Sequence, residues 1–208
     1  MADRYAAIVF DLLSALLDSW TLWGRVAGDE RLGARWRRTC LEMIYAAGRY
    51  RPYEEVVADA ARAVELDPAA AEAMRARWDE LEPWPEAPAV LRDLAADHDI
   101  ALVTNCSEAL ARRAAARLGV PADVLVSAEA AGFYKPRPEP YRRALDELGV
   151  APRDALFVAG SAGDVPGAAA VGMPVVWHNR ARLPAADGPE PLAELETLSA
   201  LPDIARAG

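Results

Sequence analysis

Ala7-Ile8-Val9-Phe10-Asp11-Leu12-Leu13-Ser14-Ala15-Leu16-Leu17-Asp18 is the stretch that decides the fold. Ala7 to Phe10 is a short β-branched and aromatic run, the mark of a strand buried on both faces, and it stops at an acid. Open parallel α/β sheets bind their ligands just beyond the carboxyl ends of the strands, so Asp11 stands where chemistry is placed. A lone Asp after a strand more often caps the next element. The weight given to Asp11 therefore rests on what the rest of the chain brings to the same edge.

Beyond Asp18 the pattern changes. Arg35 to Ala47 and Tyr53 to Val64 carry apolar residues three and four apart, which predicts helices. Asp67-Pro68 predicts another, with Asp67 as N-cap and Pro68 at the first helical position, running through Met74 and Trp78 to a stop at Pro83 and Pro85. No strand is expected there. Residues 18–85 thus read as a helical insertion, and residues 1–17 with 86–208 as the core that carries it.

From Glu86 onward helices and strands alternate. A helix from Ala87 to Ala96 precedes the strand Ile100 to Val103, which ends at Thr104-Asn105-Cys106-Ser107. A helix over Glu108 to Leu118 leads to the strand Val124 to Val126, and the loop Gly132 to Pro136 opens a helix from Glu139 to Leu148. The strand Ala155 to Val158, a loop to Asp164, a helix ending near Gly172 and a last strand, Pro174 to Trp177, complete the expected sheet. Pro184 to Pro191 reads as a surface loop. This rhythm predicts right-handed βαβ units and a Rossmann-like parallel sheet of the α/β class.

Composition excludes several function classes. A chain of 208 residues with a formal net charge of −9 has no general affinity for nucleic-acid backbones. No apolar run reaches bilayer-spanning length. Asp3 and Arg4 are followed by only a strand-length apolar run, which is not a signal-peptide pattern. Two cysteines, Cys40 and Cys106, imply no disulfide framework. The expectation is an acidic cytoplasmic protein, with no membrane or nucleic-acid partner.

Asp11, Thr104-Asn105, Lys135 and Asp164 each follow a buried strand or lie in a loop expected on one sheet edge. With these four ordered motifs the sequence resembles the haloacid dehalogenase superfamily over nearly its whole length. The resemblance implies a Rossmann-like core and a helical cap, inserted after the first strand, that closes the site. Phosphatase members place a second acid two residues after the nucleophile and another four residues before the acid matching Asp164. Those positions are Leu13 and Gly160 here, which removes the general acid and thins the oxygen set that Mg²⁺ needs. No metal and no cofactor are expected.

The resemblance is closer to the L-2-haloacid dehalogenases. Trp36-Arg37 with Leu41-Glu42, Lys135-Pro136 with Tyr141, and Trp177 with Asn179-Arg180 match their pattern. What this implies is attack by Asp11 on the α-carbon of a small 2-substituted carboxylate, followed by hydrolysis of the ester by water. Lys135 would keep Asp11 ionised. Arg37 would clamp the substrate carboxylate or receive the departing anion. Asn105 with Thr104 would donate to the leaving group or orient Asp11, and Asp164 would orient water or hold Lys135. Trp20 or Trp23 would wall the site, while Tyr141 completes the substrate-side set. The assembly is left open, a homodimer included.

Departures bear on the second half-reaction. Ala15 stands where those enzymes usually carry a threonine, and Ala159 and Ser161 replace a serine and an asparagine. Losing one preorganised donor typically costs about 2.7–4 kcal/mol of transition-state stabilisation, unless Ser14, Ser161 or another group compensates. Two other readings follow. Leu12 to Trp20 also resembles L-azetidine-2-carboxylate hydrolases, in which the strained ring nitrogen leaves and an aromatic face could meet the cationic ring. The other is a catalytically silent binding protein of the same fold. His98 in its polar turn is expected to be solvated, and His178 to approach the site rim at most.

Overall fold

The computed structural model describes residues 5–207; Asp3 and Arg4 lie outside them. Its strands are β1 (Ala7–Asp11), β2 (Asp99–Thr104), β3 (Val124–Ser127), β4 (Ala155–Ala159), β5 (Val175–His178) and β6 (Ala193–Leu195). They form one parallel sheet in the order β3-β2-β1-β4-β5-β6. Side chains alternate as the pleat demands. Ile8, Phe10, Leu102, Leu156 and Val158 pack on one face, and Ala7, Val9, Ala101, Val103 and Phe157 on the other. Both faces are covered, which is why the strands read as continuous apolar runs. Successive strands run outward from β1 on one side and from β4 on the other, so Asp11 ends its strand at the point where the order reverses.

The sheet continues past the strand expected to close it. Val176 pairs with Ala193 and His178 with Leu195, adding β6 at the edge. Ala193-Glu194-Leu195 is too short and too half-exposed to give a periodic signal.

The helices are α1 (Ser19–Ala27), α2 (Glu30–Ala47), α3 (Tyr53–Ala63), α4 (Ala69–Ala76), α5 (Ala87–Leu94), α6 (Glu108–Ala116), α7 (Ala128–Ala131), α8 (Pro138–Leu148), α9 (Asp164–Ala169) and α10 (Leu201–Ala207). Among the described residues, α1 to α4 contribute no strand to the sheet, and no helix is long and apolar enough to cross a membrane. The helix expected after Asp67 begins one residue later, with Pro68 at its N-cap, and Asp67 Oδ1 accepts from the Ala69 amide at 2.7 Å. That helix ends sooner than its apolar spacing suggested. Trp78 lies in a 3₁₀ turn, Trp78–Glu80, where its indole N–H donates to the Leu110 carbonyl on α6 at 3.0 Å. A tertiary hydrogen bond has overridden helical continuation.

The chain leaves and re-enters the core through two adjacent segments. Leu17 bridges Pro83 in antiparallel fashion, the Asp18 amide donates to the Glu82 carbonyl at 2.8 Å, and the Trp84 amide donates to the Leu16 carbonyl at 2.9 Å. His98 is not solvated. It is 5% exposed, with Nδ1 2.7 Å from the Tyr5 carbonyl oxygen, because its turn folds back under the start of β1.

Two glycines set the distance between α1 and α2. A Cβ on Gly33 would lie 2.6 Å from the Gly24 Cα and from the Trp23 carbonyl carbon. That close approach lets Trp23 meet Trp36 edge to face, ring centroids 4.6 Å apart, and fixes the turn of α2 that carries Arg37. Gly33→Ala is therefore expected to lower the unfolding free energy in a urea titration. Overpacking costs about 1–3 kcal/mol, against about 1 kcal/mol of helix propensity that alanine restores. An unchanged or raised midpoint would show that the two helices have room to spare.

Candidate active site

Asp11 stands at the end of β1, and the chain turns sharply after it. That turn aims donors back at the carboxylate. Asp11 Oδ2 accepts from the Ser14 amide at 3.0 Å, the Ser14 hydroxyl at 2.9 Å and the Ala15 amide at 3.2 Å. The other oxygen, Oδ1, accepts from Lys135 Nζ at 2.8 Å. Ser14 thus supplies a hydroxyl to the nucleophile loop one residue earlier than the position that Ala15 leaves empty. The loop is held from outside. Trp84 Nε1 donates to the Ser14 carbonyl at 3.0 Å, and His178 Nδ1 lies 2.8 Å from the Ala15 carbonyl oxygen. Burial lowers the His178 pKa, so the ring serves as a neutral donor.

Lys135 reaches the site from the loop between α7 and α8, and it is 1% exposed. Asn105 clamps its backbone in both directions, accepting from the Lys135 amide at 2.7 Å and donating to its carbonyl at 3.0 Å. The ammonium also donates to Asp164 Oδ2 at 3.0 Å, and the Tyr141 hydroxyl donates to Asp164 Oδ1 at 3.0 Å. Asp164 opens α9 but makes no capping hydrogen bond, because both its oxygens are taken by these partners.

Burial pushes the Asp11 carboxyl up, but the Lys135 charge and the hydrogen bonds from Lys135 and Ser14 outweigh it and hold its pKa below the ordinary value. For Asp164 burial wins with help from the Asp11 charge, and its pKa is raised. Burial disfavours the Lys135 ammonium, yet two carboxylates more than compensate and raise its pKa. The triad is two carboxylates sharing one cation, with Asp11 the more acidic.

Above it lies a cavity of about 40 Å³ between the sheet edge and α1 to α3. Asp11, Ser14, Asn105, Lys135, Ser161 and Asp164 reach it from the core. Ser19, Trp23, Arg37, Leu41, Ile44 and Tyr53 reach it from the helical segment. Arg37 is 7% exposed, and among the described residues it makes no hydrogen bond or ion pair. Its guanidinium stacks over the Trp20 ring at 3.7 Å, so Trp20 backs Arg37 and does not itself wall the cavity. Burial lowers the Arg37 pKa, and the Asp11 charge opposes that. Trp20 faces an outer groove of about 400 Å³ that shares Arg37, Leu41 and Ser161 with the inner cavity.

Two other expected contacts lie behind the cavity. The Thr104 hydroxyl is 3.6 Å from Cys106 Sγ, and Tyr141 touches Asp164 from the protein side; neither lines the cavity. Ser161 does, with its hydroxyl 3.5 Å from that of Tyr45. Trp84 and His178 hold the nucleophile loop and Ser19 and Tyr53 line the cavity, roles that no local sequence pattern marks. The signal for Trp84 is its place at the return from the helical insertion.

The residues present do not fit a Mg²⁺ site. Among the described residues no group of three or more His, Cys, Asp or Glu side chains could hold a metal ion. The Lys135 ammonium occupies both carboxylates. A Cβ on Gly160 would lie 2.3 Å from the Ala15 amide nitrogen and 2.5 Å from Asp11 Oδ2, so no acid can stand there beside this nucleophile.

Known proteins resemble this chain in sequence and in fold. The model of the haloacid dehalogenase-like hydrolases matches residues 5–172. The (S)-2-haloacid dehalogenase 1 of Pseudomonas sp. strain CBS-3 is 31% identical over 225 residues, covering 97% of both chains. The (S)-2-haloacid dehalogenase 4A of Burkholderia cepacia is 29% identical over 197 residues, covering 86% of this chain and 85% of its own. A crystal structure of a dehalogenase with an intermediate complex superposes with a TM-score of 0.86 at 26% identity, covering 98% of each chain. A buried aspartate held by a lysine at the switch point of this sheet, and a family match over most of the chain, place the protein among the haloacid dehalogenase-like hydrolases.

Proposed function

We propose that the protein is an L-2-haloacid dehalogenase, with Asp11 the nucleophile and residues 18–85 a cap that closes over a small 2-halocarboxylate. The observation that carries this reading is the division of labour between the two Asp11 oxygens. Oδ2 is committed to three donors and shut in by Gly160, which leaves Oδ1 to attack. Asp11, Asp164, Lys135 and Arg37 sum to zero formal charge, and Arg37 is the cation without a hydrogen bond or ion pair to another described residue. An anionic substrate therefore meets a favourable partner there. The same unpaired cation disfavours a ring ammonium, so the halide reading is preferred to azetidine ring opening. A silent binding protein has no need of a nucleophile held at depressed pKa. The two buried, unpaired thiols support a cytoplasmic location.

In the first step Asp11 Oδ1 bonds to the α-carbon, the carbon–halogen pair leaves as halide, and an ester forms with Oδ2 as its carbonyl oxygen. Water then attacks the ester carbon while Asp164, the carboxylate with the raised pKa, accepts a proton. Charge developing on Oδ2 meets the Ser14 amide, Ser14 hydroxyl and Ala15 amide, which are already in place. Lys135 protonates Oδ1 as it leaves with the product, a 2-hydroxy acid, and regains its proton from the new Asp11 carboxyl group. Asp164 then releases its proton to solvent.

Three outcomes test this. A single turnover of L-2-chloropropionate in H₂¹⁸O is expected to label Asp11 and not the product, read by mass spectrometry; label in the first product would mean that Asp11 acts as a base on water. Chelation is expected to leave chloride release unchanged, and recovery on adding Mg²⁺ after a chelator-induced loss would overturn the donor-set argument. Lys135→Met is expected to slow the first step at least 100-fold and to move the acid limb of its pH profile upward. Without the cation, the Lys135 charge and hydrogen bond that lower the Asp11 pKa are gone, and burial raises it. An acid limb that stayed in place would show that Lys135 does not set the charge of Asp11.

A further inference from the structure

Ser19 is the first residue of α1 and is 2% exposed. Its hydroxyl is buried and has no hydrogen-bond partner among the described residues. The residue nevertheless lines the cavity that Asp11 and Arg37 share. A buried hydroxyl left unpaired costs free energy that a protein normally recovers with a partner. Nothing in the fold requires a hydroxyl there: Asp18 caps the helix, its two carboxylate oxygens accepting from the Thr21 amide at 3.1 Å and the Thr21 hydroxyl at 2.6 Å. Packing alone would favour alanine.

Chemistry around Ser19 selects the missing partner. The adjacent residue, Trp20, carries the Arg37 guanidinium on its ring, and Ser19 and Arg37 both belong to the cavity wall. The amino end of α1 adds positive potential to the same wall. A hydroxyl, a cation and a helix amino end together suit an anion.

We infer that Ser19 is a substrate-binding residue: its hydroxyl donates to the carboxylate of the bound 2-substituted acid and, with Arg37, forms the subsite that anchors that carboxylate. This inference rests on the dehalogenase reading for its substrate, but the subsite itself requires only a small carboxylate. The contact is made equally in the ground state and the transition state, so it acts on binding and not on the displacement.

Kinetics of Ser19→Ala provide the test. For L-2-chloropropionate and L-2-bromopropionate, KM is expected to rise about tenfold with kcat within twofold of wild type, and by the same factor for both halides. An unchanged KM would overturn the inference. A fall in kcat that differs between chloride and bromide would also overturn it, since the hydroxyl would then serve the leaving group. A second measurement separates this from the dehalogenase reading. Propionate, which has no leaving group, is expected to raise the melting temperature of wild type and to raise that of Ser19→Ala much less at the same concentration. If wild type releases no halide but the propionate difference is present, the proposed activity fails and the subsite stands. Equal shifts in the two proteins would sink the subsite whatever the activity.

Discussion

One lysine between two buried carboxylates holds this site together. Lys135 bridges Asp11 and Asp164 at 2.8 and 3.0 Å with all three side chains nearly closed to solvent. Without the cation, two like charges would face each other in a poorly screened interior, and one would keep its proton. Removing one partner of a buried ion pair typically costs about 3–5 kcal/mol, because the remaining charge is stranded. The positions of three loops follow from this constraint. Asn105 clamps the Lys135 backbone, Tyr141 saturates Asp164, and the Asp11 turn closes its donors on the oxygen that Lys135 does not use.

The same interaction bears on why the described residues of this site do not fit a metal. Mg²⁺ at such a site would collect hard oxygens from several carboxylates. Here the point charge is covalently part of the chain, and Gly160 lets the Asp11 turn pack against β4 without a side chain between them. Neutralising with lysine and packing through glycine are two sides of one arrangement. An acid at position 160 would displace the donors that hold Asp11 Oδ2.

Much of this was legible in the sequence because it is carried by strong local signals. Buried parallel strands announce themselves as apolar runs, and each of the four motif residues follows one of them or a short loop. What escaped were the features decided by tertiary contact. Trp78 leaves its helix to bond the Leu110 carbonyl, β6 exists because β5 offers an open edge, and His98 is buried by the chain folding beneath β1. In the site, Thr104, Trp20 and Tyr141 lie one layer back from where their position in the sequence suggested. Spacing along a chain identifies which residues gather at a sheet edge, but not which of them faces the cavity and which supports its neighbour.

That distinction matters most where the chain departs from the pattern it resembles. An alanine at position 15 looked like the loss of a donor to the nucleophile. The turn after Asp11 instead presents the Ser14 hydroxyl together with the Ser14 and Ala15 amides to one oxygen. Backbone donors are available whatever the side chain at 15, provided the turn keeps its shape. Its shape is kept from outside, by Trp84 at the Ser14 carbonyl and His178 at the Ala15 carbonyl. Each carbonyl belongs to the peptide that follows its own residue, so fixing both also fixes the plane of the Ala15 amide. The donor set has thus moved from one side chain to a braced turn, and the bracing residues come from the return of the helical segment and from the end of β5. In a site of this kind Trp84 matters to the nucleophile although it lies outside the nucleophile loop.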